Sequence, residues 1–249
     1  MLPLTKGHYA ARIAETLQDL DRAHSLRHRC FITHRGLADS ATDADAFDDL
    51  SQHILVEDTR SDTLVCCFRL THFASGATIT DSYSAQFYDL TRLCAYPGAM
   101  AELGRFCIHP KHHDPDILRL AWGALTQIVE AASVQLLFGC TSFLGADPTH
   151  YQNAFALLKN TYLGPTDWLP IPKSPNTYPF AKALHEYQPD IKAALTTMPP
   201  LLRTYLAMGG WVSDHAVIDT ALNTLHVFTG LEIAAIPPYR ARLLRALAT

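Results

Sequence analysis

The decapeptide Ala101-Glu102-Leu103-Gly104-Arg105-Phe106-Cys107-Ile108-His109-Pro110 constrains this chain more than any other segment, because it sets an acid and a base inside an apolar run that ends at a proline. Ionised groups rarely go inside unpaired. A regular strand would turn Glu102 and Arg105 to opposite faces, since side chains alternate with a period of two; a bulge or splay between them would change that and release backbone N–H groups. Free N–H groups beside a carboxylate that can take a proton are the parts of an acyl-transfer site. The plainer alternative is a structural ion pair that fixes the strand against a helix.

With 249 residues, 48% hydrophobic and 18% charged, the chain can bury one large core or two modest ones, and a single domain with an elaborated C-terminal part is expected. Twenty Lys and Arg against twenty-four Asp and Glu give a net charge of −4, which argues against nucleic acid as the main partner. The six cysteines, Cys30, Cys66, Cys67, Cys94, Cys107 and Cys140, show no zinc-type spacing and read as buried reduced thiols. The N-terminus from Met1 to Lys6 lacks the apolar run of a signal peptide, and no stretch reaches about 18 uninterrupted apolar residues, so a cytoplasmic protein, at most peripheral to the inner membrane, is expected.

Periodicity predicts a strand over Lys6–Ala14, a helix over Glu15–Thr33, an ordered acidic loop over 34–52 anchored by Phe47 and Leu50, and strands over His53–Asp58 and Leu64–Phe73. The Glu102 strand follows an irregular stretch. Then come an amphipathic helix over Asp116–Ser133, an apolar β run over Val134–Ser142, and a helix over Pro148–Tyr162 capped by Asp147. Residues 163–180, with five prolines, are the one candidate linker. A helix over Leu201–Met208, a turn at Gly209-Gly210, a strand over Thr224–Ile233 and a basic tail helix from Tyr239 complete the chain.

This mixed α/β (α+β) order resembles the GNAT acyltransferase fold. The resemblance implies a mixed central sheet, flanked by helices, whose two central parallel strands splay to admit the thiol arm of an acyl donor. It further implies a core over 1–165 and a C-terminal extension over 166–249 packed on the same domain. The segments Leu26–Phe31, Asp45–Asp48, Cys67–Leu70 and Glu102–Arg105 resemble acyl-homoserine lactone synthases in order and spacing. Ser82–Leu90, Gly104–Pro110, Leu137–Phe143 and Pro199–Leu206 resemble the ornithine-lipid N-acyltransferase family. That likeness implies transfer of a 3-hydroxy fatty acyl group from acyl carrier protein to the α-amine of ornithine. Glutamine or another amino acid, or homoserine lactone synthesis, is the within-class alternative. A hemolysin-like membrane-active protein is the rival from another class, and it would need a spanning element that the sequence does not offer.

The chemistry requires that an ammonium lose a proton, that the amine attack a thioester, and that the oxyanion be held. It needs no metal or cofactor, and the co-substrate is acyl-phosphopantetheine on the carrier protein. Glu102 is the expected general base, with Arg105 beside it. Arg27, Asp45, Asp48 and Arg69, with Phe31, are expected to meet the amino acid: its carboxylate wants a bidentate arginine and its side-chain ammonium a carboxylate. A structural salt-bridge network is the competing account. Backbone N–H groups near Phe106, Cys107 and Ile108, with Lys111 for a single phosphate, are expected on the donor side. The loop Pro110–Asp116 lacks the glycines that cradle a pyrophosphate in acetyl-CoA users. Arg22, Arg29 and Arg35 suit the acidic face of a carrier protein, Cys107 or Cys140 would be the nucleophile of a covalent route, and Tyr151 is a candidate acid or a packing residue. His109, His112 and His113 lack a fourth ligand at metal spacing, and the tail helix suits either membrane contact or simple docking.

Overall fold

The computed structural model describes residues 3–37 and 42–248. Asp39 of the acidic loop, and Met1 and Leu2 of the N-terminal segment, lie outside them. The elements in chain order are β1 (Leu4–Lys6), β2 (Tyr9–Ile13), α1 (Leu17–Phe31), β3 (Gln52–Asp58), β4 (Thr63–Phe73), β5 (Tyr88–Asp89), β6 (Met100–Ile108), α2 (Pro115–Ala131), β7 (Leu136–Leu144) and α3 (Gln152–Thr161). There follow β8 (Ile171–Pro172), β9 (Thr177–Tyr178), α4 (Phe180–Ala183), α5 (Ile191–Thr197), α6 (Pro200–Ala207), β10 (Trp211–Val212), β11 (Ala216–Asp219), β12 (Thr224–Glu232) and α7 (Pro238–Leu247).

The chain divides into two compact units that interleave in sequence. The first comprises Met1–His72, Leu103–Val134 and Pro238–Thr249, the second Phe73–Glu102 and Gln135–Pro237.

In the first unit β1, β2, β3 and β4 form an antiparallel meander, with β6 next to β4. The predicted strand over Lys6–Ala14 is instead a hairpin that turns at Gly7-His8. Helix α1 starts where Thr16 and Asp19 form a reciprocal capping box, satisfying amides that the first turn leaves without partners. Its inner stripe, Ala23 and Leu26, packs with Leu55, Leu64, Cys67 and Cys107. Helix α2 packs on the strands with α7 against it. Gly123 allows that approach: a Cβ there would lie 2.3 Å from the Leu247 carbonyl oxygen. Gln127 donates to the Ala248 carbonyl, and Arg245 pairs with Glu130. The tail helix is thus docked by one face.

In the second unit the apolar run of β7 pairs antiparallel with β12 over nine positions, Leu136↔Glu232 to Leu144↔Thr224. Its parallel ladder with β6 has three pairs, Met100↔Leu136, Ala101↔Leu137 and Glu102↔Phe138, and both strands run on past the last of them. Alternation gives the sheet two apolar faces. Phe143, Leu225 and Val227 pack with Phe155, Phe180 and Leu202; Phe138 and Phe228 pack with Tyr88, Leu93 and Trp211. Full burial of one such side chain stabilises by about 1.5–3 kcal/mol.

Residues 163–180 are not a linker. They supply β8, which pairs with β5, and β9, which pairs with β11. Arg92 donates to the Thr166 and Leu169 carbonyls, and Trp168 stacks edge-on to Tyr96 at 5.3 Å. Prolines without N–H groups are tolerated here because the strands are two residues long. Among the described residues no helix is long and apolar enough to cross a membrane.

Replacing Gly123 by valine should lower stability by about 1–3 kcal/mol through overpacking and speed hydrogen exchange in α7. Urea unfolding and exchange mass spectrometry read both. Unchanged values would mean that α7 does not close on α2 as described.

Candidate active site

Arg27, the last of four buried residues on α1, is 1% exposed and must be neutralised where it stands. Its Nε donates to Asp43 Oδ2 at 2.7 Å and its Nη1 to Asp48 Oδ1 at 2.6 Å, while Nη2 donates to the Asp43 carbonyl. Arg69, from β4, reaches Asp48 at 2.5 Å and Asp45 at 2.6 Å. Arg105, from β6, reaches Asp45 at 2.9 Å and Asp43 at 3.1 Å. The six charges close a ring, Arg27–Asp43–Arg105–Asp45–Arg69–Asp48, in which each charge meets two of opposite sign.

Local sequence builds this ring. Asp45 accepts from the Phe47 N–H and Asp48 from the Asp45 N–H, both at 2.9 Å, so two aspartates shape their own loop as well as bind arginines. Gly104 leaves room for Arg69: a Cβ there would sit 3.2 Å from Arg69 Nε. Arg105 occupies the left-handed region at φ +52°, the irregularity in mid-strand that the decapeptide suggested. For a residue with a side chain that costs about 1–2 kcal/mol.

Burial by itself would raise the Asp48 carboxyl and lower the Arg27 guanidinium; their hydrogen bonds overturn both effects, holding Asp48 well below the usual carboxylate range and Arg27 above its ordinary value. Asp45 is likewise held down, against its burial, by Arg69 and Arg105. The five charged residues expected around the substrate are therefore brought together, and they neutralise one another. Asp43 is the third acid, which the sequence reading did not single out. Three arginines with two named aspartates left one positive charge over, and that imbalance was the signal.

Glu102 belongs to the second unit, is 3% exposed, and sits on the last pair of the β6–β7 ladder. Its Oε2 accepts from the Tyr83 N–H at 2.8 Å; its Oε1 accepts from the Ser84 N–H at 2.8 Å and from the Ser84 hydroxyl at 2.5 Å. Ser84 Oγ also lies 3.4 Å from Cys140 Sγ. The roles of Tyr83 and Ser84 escaped the sequence reading because they depend on main-chain N–H groups of an irregular segment.

On the donor side, Phe106 stacks on Phe68 with centroids 5.4 Å apart. Cys107 points into the core, its sulfur 3.6 Å from Cys67 and its thiol pushed well up, so it is no nucleophile. The Ile108 carbonyl accepts from the Cys30 thiol. Phe31 ends α1 beneath the Arg35 guanidinium, 5.1 Å from its ring centroid. Arg29 donates to His109 at 2.9 Å, and Lys111 is exposed beyond them. Arg22 is spent on Glu57 at 2.6 Å. Tyr151 donates to the Leu144 carbonyl and packs on Phe143, a structural role. Among the described residues no group of three His, Cys, Asp or Glu could hold a metal ion.

At the N-terminus of α2 the Asp114 carboxylate accepts from the Asp116 N–H at 2.9 Å, and Pro115 has no N–H. Donors that would face a pyrophosphate are thus occupied or missing, and two carboxylates stand beside them.

The meander, the short parallel ladder and the irregular β6 define an acyltransferase of the GNAT class, and residues 26–123 match the family described as Acetyltransferase (GNAT) domain. An L-ornithine N(alpha)-acyltransferase of Rhodobacter capsulatus is 30% identical over 92% of this chain and 91% of its own length; that of Brucella abortus is 31% identical over 92% and 86%. The chain belongs to the L-ornithine N(alpha)-acyltransferase family and is an N-acyltransferase that works on an amino acid. Its fold is shared by FeeM, an N-acyl amino acid synthase from uncultured soil microbes, at 11% identity and a TM-score of 0.53 over 92% of this chain and 94% of that one.

Because Asp48 is depressed in the folded state, its contribution is complete above its ordinary value of 3.8 and fades as pH falls below that toward the folded value. Asp48→Asn should cost about 3–5 kcal/mol at neutral pH by leaving Arg27 and Arg69 under-neutralised, and should flatten the loss of stability below about pH 4. Urea unfolding across that range is the check; a variant with the wild-type midpoint and slope would show that the ring carries no stability.

Proposed function

We propose that this enzyme transfers a 3-hydroxy fatty acyl group from acyl carrier protein to the α-amine of ornithine, the first step of ornithine lipid synthesis, yielding lyso-ornithine lipid. The acceptor follows from the name that both curated relatives carry. In this reading Glu102 takes a proton from the ammonium, the amine nitrogen attacks the thioester carbon, the C–S bond breaks, and the pantetheine thiol leaves with a proton. Backbone N–H groups at Phe106 and Cys107 stabilise the oxyanion.

The ring supports the choice of acceptor. Its buried members, Arg27 and Arg69, are 1% and 3% exposed at the side chain, whereas Asp45 and Arg105 show 24% and 14%. Asp45 receives the side-chain ammonium and Arg105 the carboxylate, while Arg27, Arg69 and Asp48, with Phe31 at the end of α1, hold that edge in shape. Glutamine carries no side-chain charge and would not need Asp45.

The observation that carries the donor assignment is the N-terminus of α2, where Asp114 caps the helix and Pro115 replaces a donor. A nucleotide donor brings a pyrophosphate to such a helix end, and here it would meet carboxylates. Phosphopantetheine brings one phosphate, which Lys111 can meet as a point charge. For the product's sake the outward residues of α7 suit a lipid surface: Tyr239 and Leu243 are 63% and 48% exposed, with Arg240 and Arg242 among them.

Purified protein should make acyl-ornithine from 3-hydroxyacyl carrier protein at least about tenfold more efficiently than from the matching CoA ester. Equal use of both would remove the carrier protein; acylation of no amino acid would remove the whole reading. Glu102→Gln should cut turnover by about 10²–10⁴ with circular dichroism unchanged. Asp45→Asn should raise KM for ornithine by about tenfold or more and leave that for glutamine nearly unchanged.

A further inference from the structure

Glu102 is 3% exposed and Ser84 is fully buried, so both are closed to solvent, and a substrate amine reaches them only where the half-buried Cys140 thiol gives way. The hydroxyl between them has one proton and two lone pairs. Its proton goes to Glu102 Oε1 at 2.5 Å, which leaves the other side of Ser84 Oγ an acceptor, and on that side Cys140 Sγ stands at 3.4 Å. Cys140 is half-buried. The register sets it in the fold: Glu102 pairs with Phe138, so by alternation Phe138, Cys140 and Ser142 share the face that carries Glu102, and Ser142 is exposed. Carboxylate, hydroxyl and thiol therefore run from the buried end of one sheet face toward its open end.

We propose that Ser84 is the proton relay of the reaction, and that the acceptor amine docks against Cys140 with an N–H directed at Ser84 Oγ in place of the thiol's hydrogen bond. The step balances. One N–H bond of the ammonium breaks as a new Oγ–H bond forms, the original Ser84 proton passes to Glu102 Oε1, and ammonium plus carboxylate become amine plus carboxylic acid. The freed lone pair then attacks the thioester. Cys140 marks the docking position and forms no acyl intermediate. This deepens the reading of Glu102 as base and rests on it.

Two backbone N–H groups, both at 2.8 Å, keep the carboxylate in place when the hydroxyl is removed, so Ser84→Ala tests the relay and not the fold. It should lower kcat by about 10²-fold with little change in KM. The acid limb of the pH–rate profile should move to higher pH, because the ionised carboxylate has lost a donor. In the wild-type enzyme saturating ornithine should slow iodoacetamide alkylation of Cys140 by about tenfold or more, read by peptide mass spectrometry, with Cys94 as the internal control. A Ser84→Ala enzyme with wild-type kcat and pH profile, or an alkylation rate indifferent to ornithine, overturns the relay. If Glu102→Gln is inactive while Ser84→Ala is not, the relay falls and the base stands; if Glu102→Gln is active, the base assignment itself falls.

Discussion

A guanidinium taken out of water needs its counter-charges fixed beside it, since removing water from an ion costs several kcal/mol that only close, hydrogen-bonded partners offset. Arg27 meets that demand with Asp43 and Asp48, and each of those aspartates answers a second arginine in turn. Three positive and three negative charges leave no excess, which is why so polar a cluster sits inside without an orphan ion. The ring also fixes backbone. Arg105 holds a left-handed φ in the middle of β6 that an alanine would not keep, and two charge-assisted hydrogen bonds, to Asp43 and Asp45, offset that strain.

Glu102 is held by another principle. Its oxygens take main-chain N–H groups at Tyr83 and Ser84 together with the Ser84 hydroxyl, so its position depends in large part on the path of the backbone. A carboxylate seated this way stays put when its neighbours change identity. Charge pairing fixes Arg105 and peptide dipoles fix Glu102, three residues apart on a single strand.

The sequence made the large elements legible where one period ruled: α1, β3, β4, α2, β7 and β12 fall within a few residues of their predicted bounds. It misled where short elements lean on distant partners. β8, β9 and β11 are two to four residues long, too short for any period to register, and exist because β5 pairs with β8, β12 with β11, and β11 in turn with β9. The predicted strand from Lys6 took in β2 and only the last residue of β1, because three residues are too few for the first arm to show a period. In the site, the charged ring could be named from residue types and spacing, five of its six members at least. Its closure could not, because mutual neutralisation is a property of distances. The donors to Glu102 were hidden for a stronger reason: an N–H group belongs to every residue but proline and leaves no mark in a sequence.

These two modes of support bear on the proposed choice of acceptor. In the proposed function a ring edge made of Asp45 and Arg105 reads charge on the incoming amino acid, and altering one of its members would alter which side chain is welcome. The proposed base is held instead by the main-chain N–H groups of Tyr83 and Ser84, which any side chains at those two positions would still present. On the proposed reading, acceptor choice and proton removal rest on separate physical footings, so selection can revise the first without rebuilding the second. The proposed choice of donor follows the same logic at α2, where a capping aspartate and a proline would discriminate against a pyrophosphate through helix chemistry alone.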